Sequence, residues 1–320
     1  ALSEDEIKAE YNRGSGMVMG SLSDTSGLDG GEIASNSASA EYCVPGDTSY
    51  CAPPVGRWDF EEKTGQYAYD TSGNGNNGTL GASASPGSDD PAWTSGKIGG
   101  ALKFDGSNDY VSVSNPSVPI ANQPYSIVAL FNPRTMGVRG IVGWGNYGSL
   151  NQVTALRLSS TGFLHYWWSN DLGVTTGNIT NTWHHVVAQF DGTYRQIFLD
   201  GKKIAQDTPT GHNVPNSSNF RIGSTNHGEY FDGFIDSIRI YNYARTPAQI
   251  AWDYNRGKPV AHYKLDECSG NTIRSTNDPY NPSLDATLTI GASGSQTSTG
   301  TCASGNSAHA WYNGSNGKFN

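Results

Sequence analysis

Residues 183–201 read WHHVVAQFDGTYRQIFLDG. Trp183 to Phe190 and Gln196 to Leu199 flank Asp191-Gly192-Thr193-Tyr194-Arg195, and Asp200-Gly201 makes the next tight turn. Apolar alternation broken by Asp-Gly is the pattern of antiparallel strands joined by hairpins, because the turn needs residues that accept positive φ. The same pattern extends outward. Val111-Ser112-Val113 follows a Gly106-Ser107-Asn108-Asp109 turn, and Tyr125 to Phe131 is a buried apolar run. Ala155 to Leu158 and Phe163 to Trp167 flank Ser159-Ser160-Thr161-Gly162, while Phe220 to Ile222 and Phe234 to Tyr241 follow the opening stretch. About ten to fourteen short strands in roughly 200 residues, with one terminal helix, predict an all-β two-sheet sandwich.

Composition narrows the function classes. Of 320 residues, 20 are Lys or Arg and 29 are Asp or Glu, giving a net charge of −9 that disfavours a nucleic-acid partner held by phosphate neutralisation. Charged residues are 15%, against about 25% in an average soluble domain, while 40 glycines and 11% aromatics suit short strands and many turns. The longest apolar run, Ile127 to Phe131, is strand-sized, so no membrane insertion is expected within this chain. Ala1 to Gly14 carries Glu4, Asp5, Glu6, Lys8 and Glu10 and is no signal peptide; for a secreted protein the export signal would lie outside this chain or have been removed.

The chain repeats itself. ARTPAQIAWDYNRG at 244–257 aligns without gaps on ALSEDEIKAEYNRG at 1–14, sharing Ala, Ile and the Tyr-Asn-Arg-Gly ending. Thr246 with Gln249, and Ser3 with Glu6, form capping boxes; Ile and Tyr four residues apart lie on one helix face; Gly257 or Gly14 ends each helix. Residues 55–99 recur as 260–320, with Gly65 matching Gly270, Thr79-Leu80 matching Thr287-Leu288 and Trp93 matching Trp311. These matches predict four parts. They are the C-terminal helix of a preceding unit (1–14), a Ser/Gly-rich spacer with a small Cys loop (15–54), a complete sandwich (55–257) and the opening of a following unit (258–320). The whole reads as a window on a longer tandem array.

Cys43 and Cys51 bracket a Pro45-Gly46 turn and read as one disulfide, with Cys268 and Cys302 as the natural second pair. The rival is zinc, but neither pair has the two-to-four-residue ligand spacing and no histidine completes a site. Disulfides point to an oxidising, extracellular or cell-surface location.

WDFEEKTGQYAYDTSGNGNNGTL, GKIGGALKFDGSNDYVSV, NTWHHVVAQFDG and YFDGFIDSIRIYNYARTPAQIAWDY, taken together, resemble a laminin-G-like domain of the concanavalin A-like jelly-roll superfamily. The spacer is similar to those of large bacterial surface proteins. The resemblance implies a structural calcium held near the loop after the first strand and the start of the last; the matching residues are Asp70, Asn74 in the same loop, and Asp236. The alternative is that Asp70 and Asn74 close Asx turns and Asp236 bonds backbone N–H groups.

No strand carries the Glu-x-Asp-x-x-Glu pattern that the superfamily's glucanases resemble one another in, and Glu61-Glu62 are adjacent and face opposite ways. His184-His185 reads as packed or at a rim, and no Gly-x-Ser-x-Gly elbow accompanies it, so no enzyme activity is expected. Trp144, in Gly-Trp-Gly-Asn-Tyr-Gly, and Trp168 with Asn170 are candidate sugar contacts: aromatic faces beside amides. Only one of Trp167 and Trp168 need enter the core. The reading is a non-catalytic extracellular repeat protein for adhesion or structural assembly in a filament or surface layer. Its partners would be neighbouring copies or glycans. The alternative is a calcium-dependent lectin-like module, and a glycan hydrolase ranks behind both.

Overall fold

The computed structural model describes Tyr42, residues 49–225 and 228–255, and two short strands at 272–273 and 286–287. The chain divides into two units, Ala1–Arg256 and Gly257–Asn320. In the second, Thr272–Ile273 pairs antiparallel with Ala286–Thr287. The helix expected at 1–14, the spacer up to residue 41, and Cys43, Cys268 and Cys302 lie outside the described residues.

The first unit is a sandwich of two antiparallel sheets. The strands that decide its shape are β1 (Gly56–Trp58), β2 (Tyr67–Ala68), β3 (Gly78–Leu80), β4 (Ala92–Ser95), β5 (Gly100–Asp105), β6 (Val111–Val113), β7 (Tyr125–Pro133) and β8 (Arg139–Gly145). They continue as β9 (Val153–Leu158), β10 (Gly162–Tyr166), β11 (Leu172–Thr175), β12 (His184–Phe190), β13 (Arg195–Leu199), β14 (Lys202–Asp207), β15 (Phe220–Ile222) and β16 (Asp232–Tyr241). One sheet runs β14-β13-β12-β7-β16-β5-β4 with β1 added beside β16; the other runs β11-β10-β9-β8-β15-β6-β3-β2. The sequence shows fewer strands than the structure because β1 to β4 hold only two to four residues each and owe their pairing to distant partners.

Aromatic side chains join the sheets. Trp58 of one sheet lies 5.2 Å from Phe220 of the other, Phe220 stacks at 5.7 Å on Trp144, and Trp144 meets Tyr125 edge-on at 6.2 Å. Each such contact is worth about 0.5–1.5 kcal/mol beyond the area it buries. The indole N–H groups stay satisfied in the dry interior, Trp58 donating to Asn76 O and Trp144 to Pro119 O, both at 2.9 Å.

Strand β7 is buried on both faces, which explains its unbroken apolar run. Its outer face is covered by helix α1 (Pro247–Asn255) and by Tyr42, through a cluster of Val128, Val187, Phe198, Tyr241 and Ile250. The predicted capping box is formed: Gln249 N donates to Thr246 Oγ1 at 3.2 Å and Thr246 N to Gln249 Oε1 at 3.1 Å. The helix face differs from the expected one. Gln249, Ile250 and Asp253 are buried while Tyr254 is exposed. Asp253 turns inward because Arg245 meets it with two bonds, at 2.9 and 2.8 Å.

The sandwich also uses residues before 55. Arg245 donates to Tyr42 O at 2.9 Å, Gln249 to Tyr50 O at 3.0 Å, and Tyr243 Oη to Ala52 O at 2.8 Å. The Tyr42 hydroxyl accepts from Arg57 at 2.5 Å, and the Arg57 and Arg239 guanidiniums each lie 5.8 Å from its ring. Cys51, in this docked segment, is disulfide-bonded.

Candidate functional site

Strand β10 ends at Tyr166 and is followed by two tryptophans that part company. Trp167 enters the core with no exposed surface, and Trp168 stays half-buried at the rim. The separation is made by the backbone, since Trp168 and Ser169 both adopt left-handed conformations, φ 68 and 62. Two such residues in succession cost on the order of 1–3 kcal/mol each and persist only where neighbours hold them. The holding contacts are specific. Trp167 N donates to Asp171 Oδ1 at 2.9 Å, Arg195 donates to Asn170 O at 2.5 Å, and Asn170 Nδ2 donates to Asn151 Oδ1 at 2.7 Å and to Thr210 O at 3.1 Å.

Three loops therefore converge, at 146–152, 167–171 and 208–213. Trp168 meets Tyr147 edge-on at 6.3 Å and Tyr166 at 5.8 Å, so three aromatic rings gather on the outer side of strands β8 to β10. Tyr147 reaches this position because residue 143 is glycine; a Cβ there would lie 2.6 Å from the Tyr147 hydroxyl oxygen and 2.5 Å from Ala155 Cβ. Arg157 lies 3.8 Å over the Tyr166 ring and is paired with Glu229.

Beneath the rim is a buried polar network. Trp167 Nε1 donates to the Tyr125 hydroxyl at 2.7 Å, and that hydroxyl is also hydrogen-bonded to His165 Nε2, 2.6 Å away. His212 stacks on Trp167 at 3.9 Å and bonds Thr154 Oγ1 at 3.1 Å. Burial and, after it, the Arg195 charge hold the His165 imidazole well below its ordinary pKa. Burial is also the main cause lowering His212 to about 4. Arg195 itself is fully buried, its guanidinium carbon 4.3 Å over the Trp167 ring and its nitrogens bonded to both Asp207 oxygens at 3.1 and 2.6 Å. Both imidazoles are neutral supports, enclosed by protein and out of reach of a ligand.

Of the expected sugar contacts, Trp168 and Asn170 sit together at this rim. Trp144 does not: it has no exposed surface and packs between Phe220 and Tyr125, so it has no face to offer a ligand. Its flanking glycines serve the approach of other loops; a Cβ on Gly145, at φ 114, would lie 2.4 Å from Gln152 O.

Of the expected calcium residues, Asp70 and Asn74 brace one loop, both bonding the Ser72 hydroxyl, and Asp236 holds another. Asp70 Oδ1 accepts from Arg57 N and Ser72 N, both at 2.9 Å, and Oδ2 from Ser72 Oγ at 2.8 Å and Asn76 N at 2.9 Å. Asn74 gives its amide to Val55 O at 3.0 Å, and Asp236 accepts Ile98 N at 2.7 Å. A carboxylate ringed by four donors is engaged with N–H and O–H groups, whereas calcium needs six to eight oxygens turned toward it. Among the described residues no group of three or more His, Cys, Asp or Glu is arranged to hold a metal ion. This donor set does not fit calcium at Asp70.

Sequence reasoning missed Asn151, which presents itself only as a loop amide, and Arg195, which reads as a turn residue. The one available signal for Arg195 was its place at the first position of a strand otherwise apolar on one face. His184 Nδ1 pairs with Asp200 at 2.8 Å, apart from the rim. Elsewhere a cavity of about 290 Å³ between Val55, the 117–124 loop and Asn242 is lined by no charged side chain.

Residues 105–251 match the laminin-G family model described as the concanavalin A-like lectin/glucanases superfamily. Among solved structures, domain 4 of the extracellular arabinanase AbnA from Geobacillus stearothermophilus, in complex with arabinotriose, is similar at 21% identity. The match covers 62% of this chain and 97% of that one, with a TM-score of 0.49. The binding domain of Paraclostridial Mosquitocidal Protein 1 is similar at 15% identity, covering 63% of this chain and 52% of that one, with a TM-score of 0.50. The binding domain of botulinum neurotoxin serotype G is 13% identical over 63% of this chain and 50% of that one, with a TM-score of 0.47. The chain thus spans about half the length of these two toxin domains. No curated protein matches the chain. No helix among the described residues is long and apolar enough to cross a membrane. Two facing antiparallel sheets with the aromatic column between them make the described sandwich a jelly roll, and its residues 105–251 carry the match to the concanavalin A-like lectin/glucanases superfamily.

Proposed function

We propose that the sandwich is a non-catalytic, extracellular adhesion module that binds glycans at the Trp168 rim without calcium. The observation that carries this reading is the locked pair of amides, Asn170 to Asn151 at 2.7 Å, in the same loops that hold the half-buried Trp168, whose carbonyl accepts from Asn151 N. Sugars combine an apolar C–H face with rings of hydroxyls, and a fixed aromatic next to fixed amides matches both. A non-catalytic role is supported by the carboxylates nearby. Glycoside hydrolysis uses two carboxyl groups flanking one bond, yet Asp207 is held through both oxygens by Arg195 and Asp171 is tied to Trp167 N. The solved relatives include an arabinanase domain in complex with arabinotriose and a botulinum neurotoxin serotype D domain in complex with N-acetylneuraminic acid. An immobilised glycan panel, probed with wild type and Trp168→Ala with and without chelator, tests the proposal. Binding that survives chelator and is lost in the variant supports it.

A second reading, a structural bead in a filament or surface layer, is favoured by the docked segment around Tyr42 and Cys51. There Arg245 fastens the strand-entry side of the chain to the helix that leaves it. Assembly of the purified chain into filaments that persist in Trp168→Ala would favour the bead over the lectin.

A further inference from the structure

We infer that the rim selects uncharged oligosaccharides carrying vicinal hydroxyls and rejects acidic ones, an inference that rests on the glycan-binding reading above. Three observations carry it.

The first is the polarity left over after the amides lock each other. Asn170 spends its Nδ2 on Asn151 Oδ1 and Thr210 O, and Asn151 spends its Oδ1 on Asn170. What remains is an acceptor, Asn170 Oδ1, and the two N–H groups of Asn151 Nδ2, on side chains held to each other. Neighbouring sugar hydroxyls each donate and accept, so a vicinal pair satisfies both amides at once. A carboxylate, sulfate or phosphate only accepts, and would face Asn170 Oδ1 with no proton to give.

The second is charge. The loops 146–152, 167–171 and 208–213 contain no Lys or Arg, and their one carboxylate is Asp171, an exposed residue. The guanidiniums nearest the rim are committed elsewhere, Arg195 buried against Asp207 and Asn170 O, and Arg157 paired with Glu229 over Tyr166. An anionic sugar arriving here would meet Asp171 and find no free cation, and like-charge juxtaposition is a rejecting element.

The third is the aromatic surface. Trp168 meets Tyr147 edge-on at 6.3 Å and both are partly exposed, whereas Tyr166, 5.8 Å from Trp168, is buried beneath Arg157; the Trp168–Tyr147 pair is therefore the surface left to face sugar rings. That extent suits a chain rather than a monosaccharide.

The test is calorimetric or gel-affinity titration of the whole chain against matched probes. Neutral probes are gluco-, xylo- and arabino-oligosaccharides; acidic probes are sialyllactose, polygalacturonate oligomers and heparin fragments. The expected result is binding of a neutral probe, unmoved by added salt, with every acidic probe at least about tenfold weaker, ~1.4 kcal/mol. Asn151→Asp keeps the oxygen that Asn170 needs and replaces the free donor by charge; a neutral probe should bind it about tenfold more weakly. The neutral-versus-acidic comparison needs no variant, so it stands even if that one folds poorly. Salt-sensitive binding of an acidic probe in preference, lost in Trp168→Ala, would overturn the charge selection while leaving glycan binding intact. No binding of either class would overturn the glycan-binding reading itself, and this inference with it.

Discussion

The Arg195 guanidinium lies 4.3 Å over the ring of Trp167 and reaches past it to the carbonyl of Asn170 at 2.5 Å. One buried cation therefore supports the tryptophan that belongs to the core and the loop that holds the other tryptophan outside. Removing one partner of a buried, hydrogen-bonded charge costs about 3–5 kcal/mol, because the other is left uncompensated. Arg195→Met is expected to lose stability on that scale in urea unfolding and to lose glycan binding with it. Asp207→Asn, which keeps shape and hydrogen-bonding capacity, should be milder in both.

The buried histidines make the fold acid-sensitive in a defined window. His212 has its folded pKa lowered to about 4 and His165 is lowered well below its ordinary value, so between about 6.5 and 4 the unfolded chain takes up protons that the folded one refuses. Stability is then lost as pH falls through that window, on the order of 3 kcal/mol for His212 alone. Asp109 works in the opposite sense. Burial raises its pKa from 3.8 to about 6, so its ionised form costs stability at neutral pH, and the cost is relieved as pH falls from about 6 to 3.8. Urea midpoints measured against pH should show a net acid loss in wild type. The loss should flatten in His212→Asn and steepen in Asp109→Asn.

Asp70 is assigned to closing its own loop. Asp70→Ala removes four hydrogen bonds and should lower stability by about 2–3 kcal/mol, by the same amount with calcium and with chelator. A loss seen only in the presence of calcium would mean that the carboxylate serves an ion after all.

Arg245 fastens Tyr42 to the helix. Its pairing with Asp253 and its bond to Tyr42 O are buried. Asp253→Ala should release the docked segment, read as faster proteolysis in the 42–52 region, and should destabilise the sandwich by about 3 kcal/mol. Glycan binding at the distant rim should persist in whatever fraction remains folded.

Much of this fold is legible in the residues because local chemistry and tertiary context agree. Asp200-Gly201 marks a tight turn, with both residues at positive φ, and the Thr246/Gln249 capping box marks the start of the helix. That only one of Trp167 and Trp168 enters the core is legible from their adjacency, but the left-handed backbone at Trp168 and Ser169 that parts them beyond the end of β10 is not. Other features depend on partners far along the chain, and no local pattern announces them. Tyr42 sits in a Ser-rich spacer composition yet is buried by Arg57, Arg239 and Arg245, contributed by two strands and the segment before the helix. Trp144 looks displayed because glycines surround it, but those glycines make room for Tyr147 and the 151–153 backbone. Asn151 joins the site through partners far along the chain, its side chain accepting from Asn170, nineteen residues on, and its backbone bonding Trp168 and Asn213.

The central claim is that a glycan contacts Trp168 at the rim. The direct measurement is an NMR titration of the indole N–H resonances with a neutral oligosaccharide, with Trp168 assigned by its absence in Trp168→Phe. The account predicts that the Trp168 indole signal shifts progressively to saturation while those of the core residues Trp58 and Trp144 stay in place. Saturable binding that leaves the Trp168 signal unmoved would contradict it.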